Sequence, residues 1–385
     1  MIKLHEMKDR AQRKALNNWV LNNYRGTIIA GTGFGKSRCG VMAINYVLNT
    51  IGGGRALVLV PTIQLQDQFK EEFEKWECDD CLDRVDVMCY QSAHKLRSKQ
   101  YDLVVCDEVH LGLSEKYRNF FKYNVYDRIL CMTATPPEEP RYKVELHKIA
   151  PIVYQISLDE CVMRGLVSPY EIHCVPIELT ADERARYKRI NSEFVEHKMA
   201  LEPDAFNFAK TALKSPNVSY ELKKHAVGFY KTIRDRKTIV DTAHNKIKVF
   251  KKLVYDNLDE KIITFGGLNE FTDTLAESVA PLAEVYHSKI TKKNRIKALK
   301  RFKDDEVNIL CSTKALNQGF DIPNANLGIV CGLTSKALSM VQRVGRLIRW
   351  EEGKTGRIYV LYVKDSQEEK WLKNAVWELN GVKWL

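Results

Sequence analysis

Short, nearly uninterrupted apolar runs alternate with amphipathic stretches twice along this chain. TIIA (27–30), ALVLVP (56–61), RVDVMCY (84–90), DLVVCDE (102–108) and RILCMTA (128–134) make the first series. IITF (262–265), AEVYHS (283–288), VNILCS (307–312), LGIVCG (327–332) and RIYVLYV (357–363) make the second. Strands apolar on both faces must be covered on both faces. Where helical segments such as QLQDQFKEEFEKW and KKNRIKALKRF separate them, the arrangement that satisfies this is a parallel sheet flanked by helices. The fold class is therefore α/β, with two such units. A length of 385 residues accommodates two domains, and 45% hydrophobic residues can fill their cores.

The stretch between the two series reads differently. Thr180 and Glu183 form a T-x-x-E capping box before ERARYKRINSEF, and from there to about residue 257 the pattern is helical. Residues 223–252 hold ten Lys or Arg against two acids, Asp235 and Asp241, a large share of the chain's +11 formal charge. Such a segment is either a solvated helical face or a surface that follows phosphates, and the concentration of charge favours the second. The expected boundaries are 1–158 for the first unit, 159–257 for a linker and basic helical insertion, and 258–385 for the second unit. Cys106, Cys131, Cys311 and Cys331 sit inside apolar strands as small buried hydrophobes, which predicts a reducing, cytoplasmic setting. A zinc reading of Cys78, Cys81, Cys89 and His94 is weak, because Cys89 lies in a strand-like run and the second tight ligand pair is missing. The charged start of the chain lacks a signal-peptide core, and no apolar run approaches the ~18 residues of a membrane span.

AGTGFGKS (30–37) follows a strand and opens a helix. Gly31, Gly33 and Gly35 would let backbone N–H groups turn inward around phosphate oxygens, with Thr32 in the same loop. Lys36 would then reach the β/γ-phosphates, and Ser37 would hold magnesium. DEVH (107–110) ends a central strand, which places Asp107 to hold Mg²⁺ and Glu108 to orient and deprotonate water. TAT (133–135) ends the next strand and is either a plain turn or a hydrogen-bonded link to bound nucleic acid. QRVGRLIRW (342–350) places Arg343, Arg346 and Arg349 at three-residue steps on one helical flank, a solvated basic face or a phosphate grip.

Taken in order, these pieces resemble the DExH branch of helicase superfamily 2, nearest the branch that holds phage UvsW and the XPB-like helicases. The resemblance implies two tandem RecA-like domains, ATP and Mg²⁺ as cofactors, and nucleic acid as partner. It places Gln12 as an adenine-reading glutamine. It gives Thr62 of PTIQLQDQ and Gln91 and Ser92 of YQS as nucleic-acid contacts, joined by Phe265 and Gly266 of ITFGG and by Ser312 and Thr313. It places Gly319 and Asp321 of STKALNQGFDIP at the nucleotide cleft. Gln342 would approach the nucleotide, and Arg346 and Arg349 would act as arginine fingers. Ala30 in place of the usual first glycine, the bulky Phe34 and Asn317 are departures that remove no catalytic group. The phosphate loop begins thirty residues in, so the accessory N-terminal domain of that branch is not expected.

The expected function is an ATP-driven DNA helicase or translocase that moves on or remodels DNA, with an RNA helicase of the same superfamily as the alternative. Backbone contacts dominate both, so the motifs leave that choice open, with DNA favoured. A small-molecule P-loop kinase needs only one α/β unit, and the second series speaks against it. Intact Lys36, Asp107, Glu108, Arg346 and Arg349 speak against a non-catalytic annealing protein.

Overall fold

A computed structural model describes residues 2–134, 136, 137, 139–313, 325, 327–335, 355–377 and 379–385. They form two compact units that divide between Tyr170 and Glu171. The first is built on a six-stranded sheet of β1 (Arg25–Ala30), β2 (Ala56–Val60), β3 (Val85–Cys89), β4 (Gln100–Cys106), β5 (Val125–Thr133) and β6 (Ile152–Ile156). Its strand order is β3-β2-β4-β5-β1-β6, and every pairing is parallel. All five residues of β2 are buried, as a strand covered on both faces requires. One face packs Leu57, Leu59, Val104 and Ile129 against Phe120 and Leu146. Fully burying each such side chain stabilises by about 1.5–3 kcal/mol.

The second unit carries a seven-stranded sheet of β7 (Tyr170–Ile177), β8 (Ile262–Phe265), β9 (Ala283–Tyr286), β10 (Ile309–Ser312), β11 (Leu327–Val330), β12 (Gly356–Val363) and β13 (Val382–Trp384). Its order is β13-β7-β12-β11-β8-β10-β9. The helices Ala181–Met199, Ala205–Ala212, Tyr220–Asp241 and His244–Tyr255 stand between β7 and β8 in the chain. The first begins at the expected capping box: Thr180 Oγ1 accepts from the Glu183 amide, and the Glu183 carboxylate accepts from the Thr180 amide. The other Glu183 oxygen accepts from the His244 amide at 2.9 Å, which ties two helix starts together. Leu201, Ala205, Ala209, Ala226 and Phe229 give this helical layer its own small core.

The ten strands anticipated from the apolar runs are present, and β6, β7 and β13 are additional. β7 lies in the stretch read as linker and insertion, yet it is a strand of the second sheet. Its burial alternates, with Glu171 and His173 half-buried, so it lacks the unbroken apolar signature that marks the central strands.

Candidate functional site

In the first unit every singled-out motif but Gln12, which lies on the helix Ile2–Leu21, stands at the carboxyl end of a strand. Gln91 and Ser92 follow β3, Thr62 follows β2, Asp107 and Glu108 follow β4, Thr133 ends β5, and the loop 31–37 follows β1. Because the sheet order is β3-β2-β4-β5-β1, these groups line one edge in that sequence. The register Cys106↔Cys131 and Ile29↔Thr133 sets the ends of β4, β5 and β1 within a few residues of one another. Ligands of open parallel sheets bind outside that carboxyl edge.

The loop's glycines are required by its shape. Gly33 and Gly35 have φ of 85° and 92°, where side chains are strained. A Cβ at Gly35 would lie 2.3 Å from Gln12 Nε2, one at Gly33 2.8 Å from Val167, and one at Gly31 3.1 Å from the Leu158 backbone. Phe34, the bulky departure, is fully buried and packs on Tyr154. Gly35 precedes the helix Lys36–Asn45, which puts Lys36 and Ser37 in its first turn. The Lys36 ammonium donates to the Ala30 carbonyl at 2.9 Å. The Thr32 hydroxyl is buried without a hydrogen-bond partner among the described residues.

Gln12 is buried, and its Nε2 donates to Phe34 O at 2.8 Å and to Gly35 O at 3.4 Å. Arg38 Nη1 donates to Gln12 Oε1 at 2.5 Å, and Arg38 Nη2 to Asp9 at 2.6 Å. Burial raises the Asp9 carboxyl, but hydrogen bonds from Arg13 and Arg38 outweigh it and hold the group below its ordinary value. Sequence reasoning found Gln12 and missed Asp9, Arg38 and the Trp76 ring on which Arg38 stacks. Their spacing along the chain leaves no local signal.

Burial and the neighbouring Glu108 charge push the Asp107 carboxyl up to about 7, against the pull of Lys36. Glu108 has φ of 47°, a left-handed backbone that costs a non-glycine residue about 1–3 kcal/mol and persists where its surroundings hold it. The holding contacts are visible. Thr133 Oγ1 donates to Glu108 Oε2 at 3.1 Å, and His110 Nδ1 lies 3.2 Å from Thr133 Oγ1 and 3.4 Å from Glu108 Oε2. Thr133 is therefore more than a turn residue: it links the end of β5 to the acidic pair.

Of the expected nucleic-acid contacts, Gln91 and Ser92 are exposed on the short helix Tyr90–Ala93. Thr62 precedes the helix Ile63–Lys75 without capping it, and its hydroxyl has no hydrogen-bond partner among the described residues. In the second unit β8 and β10 are adjacent with Ser312 opposite Phe265, and the Gly266 amide donates to Ser312 O at 2.7 Å. Phe265 stands at the end of β8. Its ring is fully buried, and its carbonyl accepts from the Cys331 and Gly332 amides. Ser312 and Thr313 are also buried, with the Ser312 hydroxyl 3.3 Å from Thr313 O. Gly319, Asp321, Gln342, Arg346 and Arg349 lie outside the described residues, as do Asn317 and Thr135.

The basic stretch 223–252 divides on inspection. Lys246 is fully buried and pairs with the equally buried Glu368 at 2.9 Å, while also donating to Cys331 O at 2.8 Å. Lys237 pairs with buried Asp241, and Arg236 stacks on Phe194. These three cations hold the fold together. Lys224, Lys231 and Arg234 are exposed on one face of the helix Tyr220–Asp241. Cys78 and Cys81 donate to the carbonyls of Trp76 and Cys78, and Cys89 accepts from Gln66. No group of three or more metal-binding side chains converges among the described residues. All ten cysteines are free and buried, and no described helix is long and apolar enough to cross a membrane.

Comparison with known proteins agrees with this architecture. Residues 1–138 match the family described as type III restriction enzyme, res subunit, and residues 245–351 match the helicase conserved C-terminal domain. The chain is similar to a DNA 3'-5' translocase XPB2 of Sulfurisphaera tokodaii, at 26% identity over 89% of this chain and 79% of the relative. A putative helicase of a Sulfolobus islandicus filamentous virus is 22% identical over 99% of this chain and 68% of that protein. The yeast mitochondrial ATP-dependent RNA helicase MSS116 is 36% identical, but over 28% of this chain and 17% of its own length. Among solved structures, the Hef helicase domain of Pyrococcus furiosus shares the fold with a TM-score of 0.55 and 17% identity over 94% of this chain and 97% of that one. The helicase C-terminal and restriction-enzyme res-subunit matches on two parallel sheets, the first bearing the glycine loop 31–37 and an acidic pair on one edge, make this chain a member of the superfamily 2 helicases, ATP-hydrolysing enzymes, with the XPB-like branch the one that fits.

Proposed function

We propose that this helicase is an ATP-driven motor on DNA, coupling hydrolysis to translocation, unwinding or remodelling of strands. One observation carries the reading: adjacent strands bring Lys36, the Asp107–Glu108 pair and Thr133 to one edge, where Thr133 is hydrogen-bonded to Glu108. In that arrangement Glu108 orients the attacking water, and Thr133 passes its position to the sheet edge on which Thr62, Gln91 and Ser92 lie.

The donors fit a magnesium triphosphate. Ser37 and Asp107 offer hard oxygen ligands, the loop leads into a helix start, and Thr32 offers a buried hydroxyl with no partner among the described residues. Magnesium would supply charge neutralisation on the phosphoryl oxygens; Lys36 binds and orients the chain of phosphates. By the family resemblance Gln342 would approach the nucleotide, and Arg346 and Arg349 would act as arginine fingers on the γ-phosphoryl group, a role worth about 10³–10⁵ in rate in related phosphoryl transfer. Residues 1–158 are then the ATP-binding domain, and 258–385 joined by β7 the second motor domain. The viral relative is consistent with work in a host cytoplasm.

DNA is favoured over RNA because the DNA-translocase relative spans 89% of this chain, whereas the yeast RNA helicase spans 28%. The test is ATP hydrolysis measured side by side with single-stranded, duplex and branched DNA and with RNA. We expect DNA to stimulate turnover most. Stimulation by RNA alone would establish the RNA-helicase reading instead, and turnover indifferent to all four polymers would remove the motor reading.

A further inference from the structure

Gln12 has both ends of its amide engaged within the protein. Its Nε2 faces two carbonyl oxygens of the phosphate loop, Phe34 O at 2.8 Å and Gly35 O at 3.4 Å. Its Oε1 faces a guanidinium nitrogen of Arg38 at 2.5 Å. Guanidinium groups only donate and carbonyls only accept, so these neighbours fix which way round the amide sits. A flipped amide would set N–H against N–H and oxygen against oxygen.

Arg38 is itself fixed on two further sides. Its second terminal nitrogen donates to Asp9 at 2.6 Å, and its guanidinium carbon lies 4.2 Å from the Trp76 ring centroid. The Trp76 indole N–H is held by Glu72 at 2.8 Å. The planar guanidinium is thus stacked, forked and largely buried, with 18% of its side chain exposed. Both N–H groups of Gln12 are directed at loop carbonyls, one at 2.8 Å and the other at 3.4 Å, so a nucleobase that needed a donor from Gln12 would have to displace one of them.

We propose that Asp9, Arg38 and Trp76 are positioning residues that hold Gln12 as a clamp on the phosphate loop, so that the site selects the triphosphate and discriminates little between bases. This rests on the reading of residues 31–37 as the nucleotide site. The hydrogen bonds of Gln12 organise the loop, and the base is left to weaker contacts.

The test compares ATP, GTP, CTP and UTP as substrates of the full chain, with inorganic tripolyphosphate as a base-free competitor. The unmodified protein should hydrolyse all four with kcat/KM values within about tenfold of one another. Arg38→Ala should raise KM for every nucleotide by a similar factor, about tenfold for the loss of one charge-assisted hydrogen bond, and leave kcat within a small factor. Tripolyphosphate should weaken as a competitor by that same factor, and Arg38→Lys, which cannot fork and stack, should recover only part of it. If Arg38→Ala does not fold, Asp9→Asn carries the same KM comparison. An effect confined to ATP, unchanged KM values throughout, or a strong preference of the unmodified protein for ATP would overturn the proposal. Failure of the folded, unmodified protein to hydrolyse any of the four would instead overturn the nucleotide site itself.

Discussion

The two sheets are built alike and equipped differently. At the carboxyl edge of the first, polar groups are incompletely satisfied. Among the described residues the Thr32 and Thr62 hydroxyls are buried without partners, Asp107 is pushed up to about 7 by burial and by Glu108, and Lys36 donates to the Ala30 carbonyl. Around the second, the charges of the helical layer are spent within the protein. Lys246 makes bonds to Glu368 and to Cys331 O, and Lys237 pairs with Asp241, which keeps a single oxygen without a partner. Burying polar groups without partners costs free energy, so an edge that does so is prepared for a ligand that satisfies them. Lys246 and Lys237 of the second unit already have their ligands in the chain.

The sharpest test of this contrast exchanges one lysine from each unit. Lys36→Ala should drop ATP hydrolysis by more than about 10²–10³-fold, the scale for loss of one transition-state contact, while the unfolding transition stays nearly unmoved. Turnover close to that of the unmodified protein would refute its assignment. Lys246→Ala should do the reverse. It leaves Glu368 as an unpaired buried charge, at a cost of about 3–5 kcal/mol read in urea unfolding of the second unit. Binding of a fluorescent ATP analogue by the first unit should persist. Adding Glu368→Leu to Lys246→Met should restore most of the loss, because an apolar pair replaces a buried ionic one at little net cost. A surface-like loss below about 1 kcal/mol would show that this pair contributes no more than an exposed one.

These two lysines also mark what a sequence discloses. Lys36 is legible because its chemistry is local: strand, glycine loop and helix start occupy thirteen consecutive residues, 25–37. Asp107 and Glu108 are legible for the same reason. Lys246 reads as one more cation in a basic run, because its partner stands 122 residues away. The Asp9–Arg38–Gln12 bracket is hidden likewise, by separations of 26 and 29 residues. Among strands, the central ones announce themselves by burial on both faces. β7 and β13 escape notice because they lie at one side of the second sheet, where alternating or exposed residues suffice.

Asp107 offers a smaller effect of opposite sign. Its carboxyl ionises near 3.8 in an unfolded chain and about 7 in the fold. Between those values the folded chain holds the extra proton, so stability falls as pH rises through that window and is lowest above it. Asp107→Asn should therefore stabilise the nucleotide-free protein by about 1–3 kcal/mol at pH 8, a figure reduced for the group's partial exposure, and by almost nothing near pH 4. Melting temperatures across that range in the presence of a chelator would check it. A destabilised variant at pH 8 would mean that Asp107 is a satisfied structural carboxylate, and that the first edge is no more open than the second.

The mildest perturbation asks whether all the charge of the second unit is spent. Lys224, Lys231 and Arg234 differ from Lys237 and Lys246 in being exposed, and their spacing of seven and three residues keeps them on one helical face. Each phosphate contact adds about 0.9 to the slope of log affinity against log salt on duplex DNA. Replacing all three with alanine should therefore flatten that slope by about 1–3, with melting temperature and the ATPase rate at saturating DNA little changed. The same measurement on a Lys237→Ala variant should give an unaltered slope, because that cation neutralises Asp241. If both variants flattened the slope equally, the division between structural and phosphate-seeking cations would fail. If neither did, the helical layer would be a solvated face, and DNA would be gripped by the strand edges alone.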